Sequence, residues 1–165
     1  MKHWILDGYN IIRQVDFLEP FEQKSLAEGR KRLLEFLARF FKEFLSNKGE
    51  ITVVFDGSEN GLPFEKPESV FEGIKILFSQ GRKADQVIEE LIIKSTNPKN
   101  VIVVSADREV KLFARKNRCA SITPTEFVNM AFAPKKERTR KPVLSREGLH
   151  RIEEELRKWV GLNGR

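Results

Sequence analysis

The segment VIVVSADREV, residues 101–110, decides the fold class. Its first four residues are all β-branched and apolar, which is typical of a strand buried on both faces of a parallel sheet. A short polar turn follows, and the pattern from about residue 107 to residue 116 predicts a helix. A buried strand that leads directly into a helix is the repeating unit of an α/β protein.

The same alternation continues in both directions from this segment. Hydrophobic patterning predicts strands at residues 3–6, 51–55, 70–78 and 119–122, and helices at 24–47, 85–95 and 124–132. The first long helix carries an apolar stripe at helical spacing, which predicts a core-facing side: Leu33, Phe36, Leu37, Phe40, Phe41, Phe44 and Leu45. This order predicts an α/β domain with a mostly parallel sheet.

Composition excludes several classes of protein. The chain has 165 residues, of which 40% are hydrophobic and 33% charged, as in soluble globular proteins. No apolar run approaches the ~18 residues of a membrane span, and the apolar stretch at the N-terminus is too short for a signal peptide, so we expect a cytoplasmic protein without membrane contact. The single Cys119 excludes a disulfide framework, and the two histidines, His3 and His150, exclude a His-rich metal site.

The positive charge is concentrated in a C-terminal tail. Residues 134–165 hold ten Lys or Arg and five Glu, which accounts for +5 of the net +6. The sequence therefore divides into a domain of residues 1–132, a basic linker of 133–143 and an amphipathic helix of 144–165. The linker cations are Lys135, Lys136, Arg138, Arg140 and Lys141. They indicate RNA or an RNA-protein particle as partner; a solvated tail, or a helix that docks on its own body or on a second copy, is the alternative.

Acidic residues follow the predicted strands. Asp7, Asp56 and Asp107 come just after three of them, while Asp85 opens a helix and Glu89 lies one turn later. Each alone is compatible with a turn or a helix N-cap. On a parallel sheet, however, all five would gather at one edge, where they repel one another unless a cation is bound. Carboxylate oxygens suit Mg²⁺ or Mn²⁺, and such sites cut phosphodiester bonds.

Other chemistries fit the sequence less well. It contains no glycine-rich phosphate-binding motif. Cys119 falls in a predicted buried strand, and His3 would lie ~13 Å from the acids at ~3.3 Å per residue. A receiver-type domain, which also gathers aspartates at strand ends, fits poorly with the Pro- and Glu-rich loop predicted from residue 58 to about residue 69.

Five segments occur in an order that resembles a known family. They are LDGYNII (6–12), VVFDG (53–57), ADQVIEELI (84–92), VVSADREV (103–110) and ITPTEF (122–127). Over residues 1–132 the chain is similar to the YacP-like NYN-domain endoribonucleases of the PIN-like nuclease fold. The resemblance implies a three-layer α/β/α domain and a divalent-metal-dependent endoribonuclease.

The resemblance also implies roles for individual residues. Asp7, Asp85 and Asp107 would be the core acids, and Asp56 and Glu89 would be supporting metal ligands or would hydrogen-bond to the ligands. Asn10 would orient a carboxylate or a water on the metal. Ser105 would hydrogen-bond near the site or form a simple turn, and Arg108 would contact a phosphate or stay solvated.

Two observations leave alternatives open. Arg82 and Lys83, just before the acidic helix, make this segment more basic than the family pattern, so they could contact RNA or lie in a solvated loop. A non-catalytic RNA-binding or adaptor protein could use the same fold, and a DNA-directed flap-type nuclease would share the chemistry. The acid cluster argues against a pure binder of polyanions.

Overall fold

A single mixed sheet organises the part of the chain that the computed structural model describes, residues 1–43, 45, 48–57 and 68–132. Its order is β3-β4-β2-β1-β5-β6. The strands are β1 (His3–Asp7), β2 (Glu50–Phe55), β3 (Glu68–Phe71), β4 (Ile74–Phe78), β5 (Val101–Val104) and β6 (Ala120–Ile122). All pairings are parallel except that of β3 with β4, so five strands end at the same edge.

Helices cover both faces of this sheet. They are α1 (Gly8–Gln14), α2 (Glu19–Lys24), α3 (Leu26–Glu43), α4 (Ala84–Lys94), α5 (Arg108–Lys116) and α6 (Pro124–Phe132). One core cluster joins α1, α3 and α6 to one face, and a second joins α4 and α5 to the other. The predicted three-layer α/β/α architecture is confirmed.

The apolar stripe of α3 forms the centre of the larger core. Leu33, Phe36, Leu37 and Phe40 are buried. The Phe40 ring meets the Trp4 ring at 5.5 Å between centroids, edge to face. Such aromatic pairs add about 0.5–1.5 kcal/mol to the burial of apolar area. Phe41 and Leu45 are partly buried, and Phe44 lies outside the described residues.

Strand β5 confirms the interpretation of the 101–110 segment. Val101 and Val103 pack into the core beneath α4 and α5, whereas Val104 packs into the core on the other face. Both faces of the strand are therefore covered, which is why the whole run is apolar. The structure begins this strand, and also α6, at the residue that the pattern predicted.

The segment 70–78 differs from its prediction as one strand. It is a hairpin, in which β3 pairs antiparallel to β4 with Phe71 opposite Ile74. Glu72 and Gly73 turn the chain with φ of 50° and 83°. Two successive positive φ angles are the hallmark of the tight hairpin turn that follows strand twist. The Glu-Gly pair is a weak form of this signal, and the alternating pattern across it concealed the turn.

Helices α1 and α2 were not predicted. Helix α1 has seven residues, starts with Gly8 and has too few turns to be stable alone. Ile11 and Ile12 are both fully buried, so tertiary packing rather than local propensity holds it. The loop predicted from residue 58 to about residue 69 lies outside the described residues as far as residue 67, and its last two residues, Glu68 and Ser69, belong to β3 instead. The predictions for the linker and C-terminal helix of 133–165 and for His150 also lie outside the described residues. Across the described ranges, no helix is long and apolar enough to cross a membrane.

Candidate active site

The strand register brings three chain segments together at the carboxyl edge of the sheet. Asp7 is the last residue of β1 and pairs with Val54 of β2, while Leu6 pairs with Val104 of β5. The residues that follow β2 and β5 therefore start beside Asp7. Since parallel sheets place their ligands at this edge, it is the natural position for a site.

Asp7 is the buried centre of the acidic cluster. Its exposed fraction is only 8%, and its Oδ2 accepts a hydrogen bond from the Ser105 hydroxyl at 3.2 Å. Burial and the neighbouring Asp85 raise the pKa of Asp7 to about 6. Ser105 and the backbone amide of Asn10 act in the opposite direction, and Asp56 raises the pKa further. The fold thus holds a carboxylate where water stabilises its charge poorly.

Ser105 links Asp7 to Asp107. The same hydroxyl that donates to Asp7 accepts from the backbone N–H of Asp107 at 3.1 Å. Asp107 in turn caps α5, because its Oδ1 accepts from the N–H groups of Glu109 at 2.8 Å and Val110 at 3.2 Å. Ser105 therefore forms a local turn and also contacts the buried acid.

Asn10 positions the loop that carries Asp107. Its Oδ1 accepts from the backbone N–H of Ala106 at 2.7 Å. This bond joins the first helix to the turn after β5, 96 residues away in the chain. The side-chain oxygen of Asn10 is thus occupied by the protein backbone.

Asp56 holds the start of α4. Its Oδ1 accepts from the Ser79 hydroxyl at 3.2 Å and from the backbone N–H of Ala84 at 3.0 Å. Ser79 also accepts from the N–H of Gly57 at 2.9 Å and is almost fully buried. The sequence analysis missed Ser79. The available signal was its position directly after β4, which matches the position of Ser105 directly after β5.

Asp85 completes a group of four interacting aspartates. It lies in the first turn of α4, and the N-cap position belongs to Lys83, so Asp85 does not cap this helix. Burial, then Asp107 and Asp56, raise the pKa of Asp85, whereas Lys83 lowers it. Asp7, Asp56, Asp85 and Asp107 therefore share one electrostatic environment.

The other predicted site residues lie at the margin of this group. Glu89 is half-buried one turn further along α4, and the structure gives it no hydrogen bond to the aspartates within the described residues. Arg82 forms an exposed ion pair with Glu90. Lys83 lies close enough to Asp85 to lower its pKa. Arg108 is exposed at the first position of α5.

The carboxylate oxygens of these aspartates are suitable ligands for a hard divalent cation, but in this structure they lie too far apart to bind one ion together. Oxygen ligands of this kind are those that Mg²⁺ and Mn²⁺ prefer. Burial first, and then repulsion from the neighbouring carboxylates, raises the pKa of Asp7 and of Asp85, and a bound cation would offset both effects. In the described ranges, however, no three acidic, His or Cys side chains lie close enough together to hold an ion as they stand.

The residues needed for other chemistries lie away from these acids. His3 stands at the opposite end of β1, where its Nε2 lies 2.9 Å from the Thr52 hydroxyl and it lines a cavity of about 320 Å³. Cys119 is buried, and burial raises the pKa of its thiol. Neither residue adjoins the acidic edge.

The fold is that of a PIN-like α/β domain. The chain belongs to the YacP-like NYN domain family, which matches residues 4–159 and so extends past the last recognised motif into the C-terminal segment. NYN domains are typically nucleases.

Two solved structures share this fold. One is a tryptophan-to-leucine mutant of Rae1 (YacP) from Bacillus subtilis, with 18% identity, a TM-score of 0.64 and coverage of 98% of this chain and 85% of that chain. The other is Rae1 (YacP) from Bacillus subtilis without that change, with 18% identity, a TM-score of 0.55 and coverage of 99% and 84%. No curated protein matches the sequence.

Proposed function

We propose that this protein is an endoribonuclease that hydrolyses RNA phosphodiester bonds with the help of Mg²⁺ or Mn²⁺. The observation that supports this most directly is the buried Asp7, whose pKa rises to about 6 beside Asp85 at the carboxyl edge of the sheet. Burying like charges together lowers stability, so the arrangement needs a compensating role. Binding a cation provides that role.

Asp7 and Asp85 would hold the ion, together with Asp56, Glu89 and Asp107. A divalent ion at such a site activates water and offsets the negative charge of the phosphate. Small movements of α4 and of the turn before α5 would bring the carboxylates within reach of a common ion. Both elements carry their acid in the first turn or at the cap.

Hydrogen-bonded neighbours would keep the acids aimed at the substrate. Ser105 orients Asp7 and fixes the backbone of Asp107, while Ser79 orients Asp56. Asn10 secures the turn between them through Ala106. Residues that orient ligands in this way typically change activity about 10- to 100-fold when they are removed.

A nucleic acid is the substrate that best fits the distribution of charge, and the match to the NYN domain family favours RNA. The linker cations described above, with Lys83 and Arg108 beside the site and Arg82 nearby, would contact phosphates on either side of the scissile bond. A pure RNA-binding or adaptor role would derive nothing from four neighbouring carboxylates, which repel a polyanion. The tail could also reach RNA held in an RNA-protein particle.

The test is cleavage by the purified chain of matched RNA and DNA with Mg²⁺, Mn²⁺ or EDTA. We expect RNA to be cut internally, only with metal, and DNA to be spared. Asp7→Asn and Asp85→Asn should each lower the rate by orders of magnitude while circular dichroism stays unchanged. Asp16→Asn, at an exposed position between α1 and α2, is the matched control. Full activity of Asp7→Asn would exclude this edge as the active site.

A further inference from the structure

A basic side chain approaches the acidic edge from the layer opposite α4. Arg30 lies in α3, and its Nη1 donates to the hydroxyl of Tyr9 at 2.8 Å. The guanidinium also lies over the Phe78 ring, with Cζ 5.6 Å from the ring centroid. Arg30 is half-buried, and these two contacts hold its side chain at a defined place.

The rings that hold Arg30 form a connected group. The Tyr9 and Phe55 centroids are 5.1 Å apart, and those of Phe55 and Phe78 are 5.8 Å apart. Each ring adjoins a residue of the site in the chain: Tyr9 lies two residues after Asp7, Phe55 directly before Asp56, and Phe78 directly before Ser79. Arg30 is therefore fixed to the same edge of the sheet, but on the α3 side.

We propose that Arg30 binds a phosphate of the RNA next to the scissile one and so guides the strand across the sheet edge. This inference rests on the proposed nuclease function. A guanidinium presents its donors in a planar fork that matches two phosphate oxygens, which an ammonium does not. Contacts with Tyr9 and Phe78 restrict the side chain before RNA arrives, so less rotamer entropy is lost on binding.

The position of Arg30 also explains how RNA could bind next to aspartates that repel its phosphates. RNA that lay only along the α4 side would meet Asp56 and Asp85, whose negative charge Lys83 offsets only in part. A cation on the α3 side attracts the neighbouring phosphate and leaves the scissile phosphate at the boundary between the two faces. Arg30 would thus be a substrate-binding residue that sets the path of the RNA, with no part in the bond cleavage itself.

The test compares Arg30→Gln with Arg39→Gln in the full chain. Arg39 lies on the same helix, nine residues away, or about 13 Å at 1.5 Å per residue; its Nε is 3.1 Å from Glu43. Both variants lose one positive charge from α3. Affinity for a single-stranded RNA oligonucleotide is measured in EDTA at several salt concentrations, and cleavage kinetics are measured with Mn²⁺.

We expect Arg30→Gln to bind RNA about tenfold more weakly, the scale of one lost hydrogen bond to a charged group. Its log-log salt slope should fall by about 0.7, as for one phosphate neutralised on a single strand. KM should rise by a similar factor with kcat nearly unchanged. Equal slopes and equal KM for the two variants would overturn the role of Arg30, while failure of the wild-type chain to cut RNA would overturn the proposed function itself.

Arg30→Lys separates a substrate contact from a structural role and decides the case if Arg30→Gln fails to fold. Lys restores the charge but not the fork. A folded Arg30→Lys that keeps the wild-type salt slope and recovers part of the affinity supports the phosphate contact. A folded Arg30→Lys with the affinity and KM of the wild-type chain would show that the guanidinium fork makes no phosphate contact.

Discussion

Gly8 lies directly against the ring of Phe55, and a Cβ at Gly8 would overlap two atoms of that ring. Phe55 is fully buried and cannot move aside without displacing its neighbours. Because Gly8 follows Asp7 and begins α1, this close approach sets how near the helix comes to the sheet. The glycine of the DGYN motif is therefore required by packing.

Gly8→Ala should destabilise the protein by about 1–3 kcal/mol, the range for overpacking a tight core. The measurement is the free energy of unfolding in urea. Phe55→Leu provides the control, because a smaller side chain should accept the added methyl group. Gly8→Ala should then cost less in the Phe55→Leu background, and equal costs in both backgrounds would contradict the contact as the cause.

The raised pKa of Asp7 predicts a pH-dependent gain in stability for Asp7→Asn without metal. In the folded protein the pKa is about 6, against an ordinary value of 3.8. Between these values the folded chain binds a proton that the unfolded chain has released, so wild-type stability falls as pH rises from 3.8 to 6 and stays lower above 6. The loss amounts to about 3 kcal/mol at most.

We therefore expect Asp7→Asn to melt above wild type at about pH 7.5 in EDTA and to approach it near about pH 4, below the raised pKa. Millimolar Mn²⁺ should raise the wild-type melting temperature more than that of the variant, since the ion relieves the same repulsion. If Asp7→Asn is less stable than wild type at the higher pH, the ionised carboxylate of Asp7 stabilises the folded protein, and the prediction is wrong.

Ser105→Ala removes a hydroxyl that serves two aspartates. The change should lower cleavage about 10- to 100-fold, as for other residues that orient ligands. Because Ser105 lowers the pKa of Asp7, its loss should also shift the acidic limb of the pH–rate profile upward. Ser121→Ala, on β6 and hydrogen-bonded through its hydroxyl to Arg115, is the control. A loss of rate without the shift in the pH–rate profile would show that Ser105 acts only by holding the turn that carries Asp107.

Asn10→Ala should affect turnover less than Asp7→Asn, because Asn10 holds the Ala106 backbone and the variant deletes no acid. Loss of this bond should also reduce stability by about 1 kcal/mol. Turnover is measured per folded molecule, so that the two effects are separated. A reduced stability with unchanged turnover would assign Asn10 to a structural role only.

Replacing the five linker cations Lys135, Lys136, Arg138, Arg140 and Lys141 by Gln should weaken RNA binding and flatten its salt dependence. Each phosphate of a single strand that the linker no longer neutralises lowers the slope by about 0.7. Cleavage of short oligonucleotides should persist, since the acids are untouched. The control variant replaces only Arg146 and Arg151, which lie beyond the linker, by Gln, and its salt slope is compared with that of the five-residue variant. A slope that equals that of the wild-type chain would point to packing or assembly as the role of this segment.

The sequence predicted the parts of the fold that depend on local pattern. The β-branched run of β5 and the Pro at the start of α6 each have a local physical cause, and both elements begin where expected. The gathering of Asp7, Asp56, Asp85 and Asp107 followed from strand parallelism alone. Helix α1 was missed because its stability comes from burial of Ile11 and Ile12, which no local rule reveals.

The start of α4 shows most clearly which contacts a local sequence pattern cannot predict. Sequence reasoning offered Asp85 as its N-cap, but the N–H of Ala84 is bound by Asp56, 28 residues earlier in the chain. A cap from another strand leaves no trace in the local spacing. The position of Ser79 directly after β4 was a signal, but its partner Asp56 comes from a different segment and could not be read from local spacing.

The double use of two aspartates has a consequence for how this protein could change over evolutionary time. Asp56 and Asp107 cap helices, so a descendant that had lost its enzymatic activity would still be selected to keep them for folding. Asp7 is different, because its ionised form lowers the stability of the folded protein and its side chain caps no helix. If the proposed RNA cleavage no longer mattered, drift would remove this residue first. The acid at the end of β1 is therefore a better marker of retained activity than the acids that hold the helices in place.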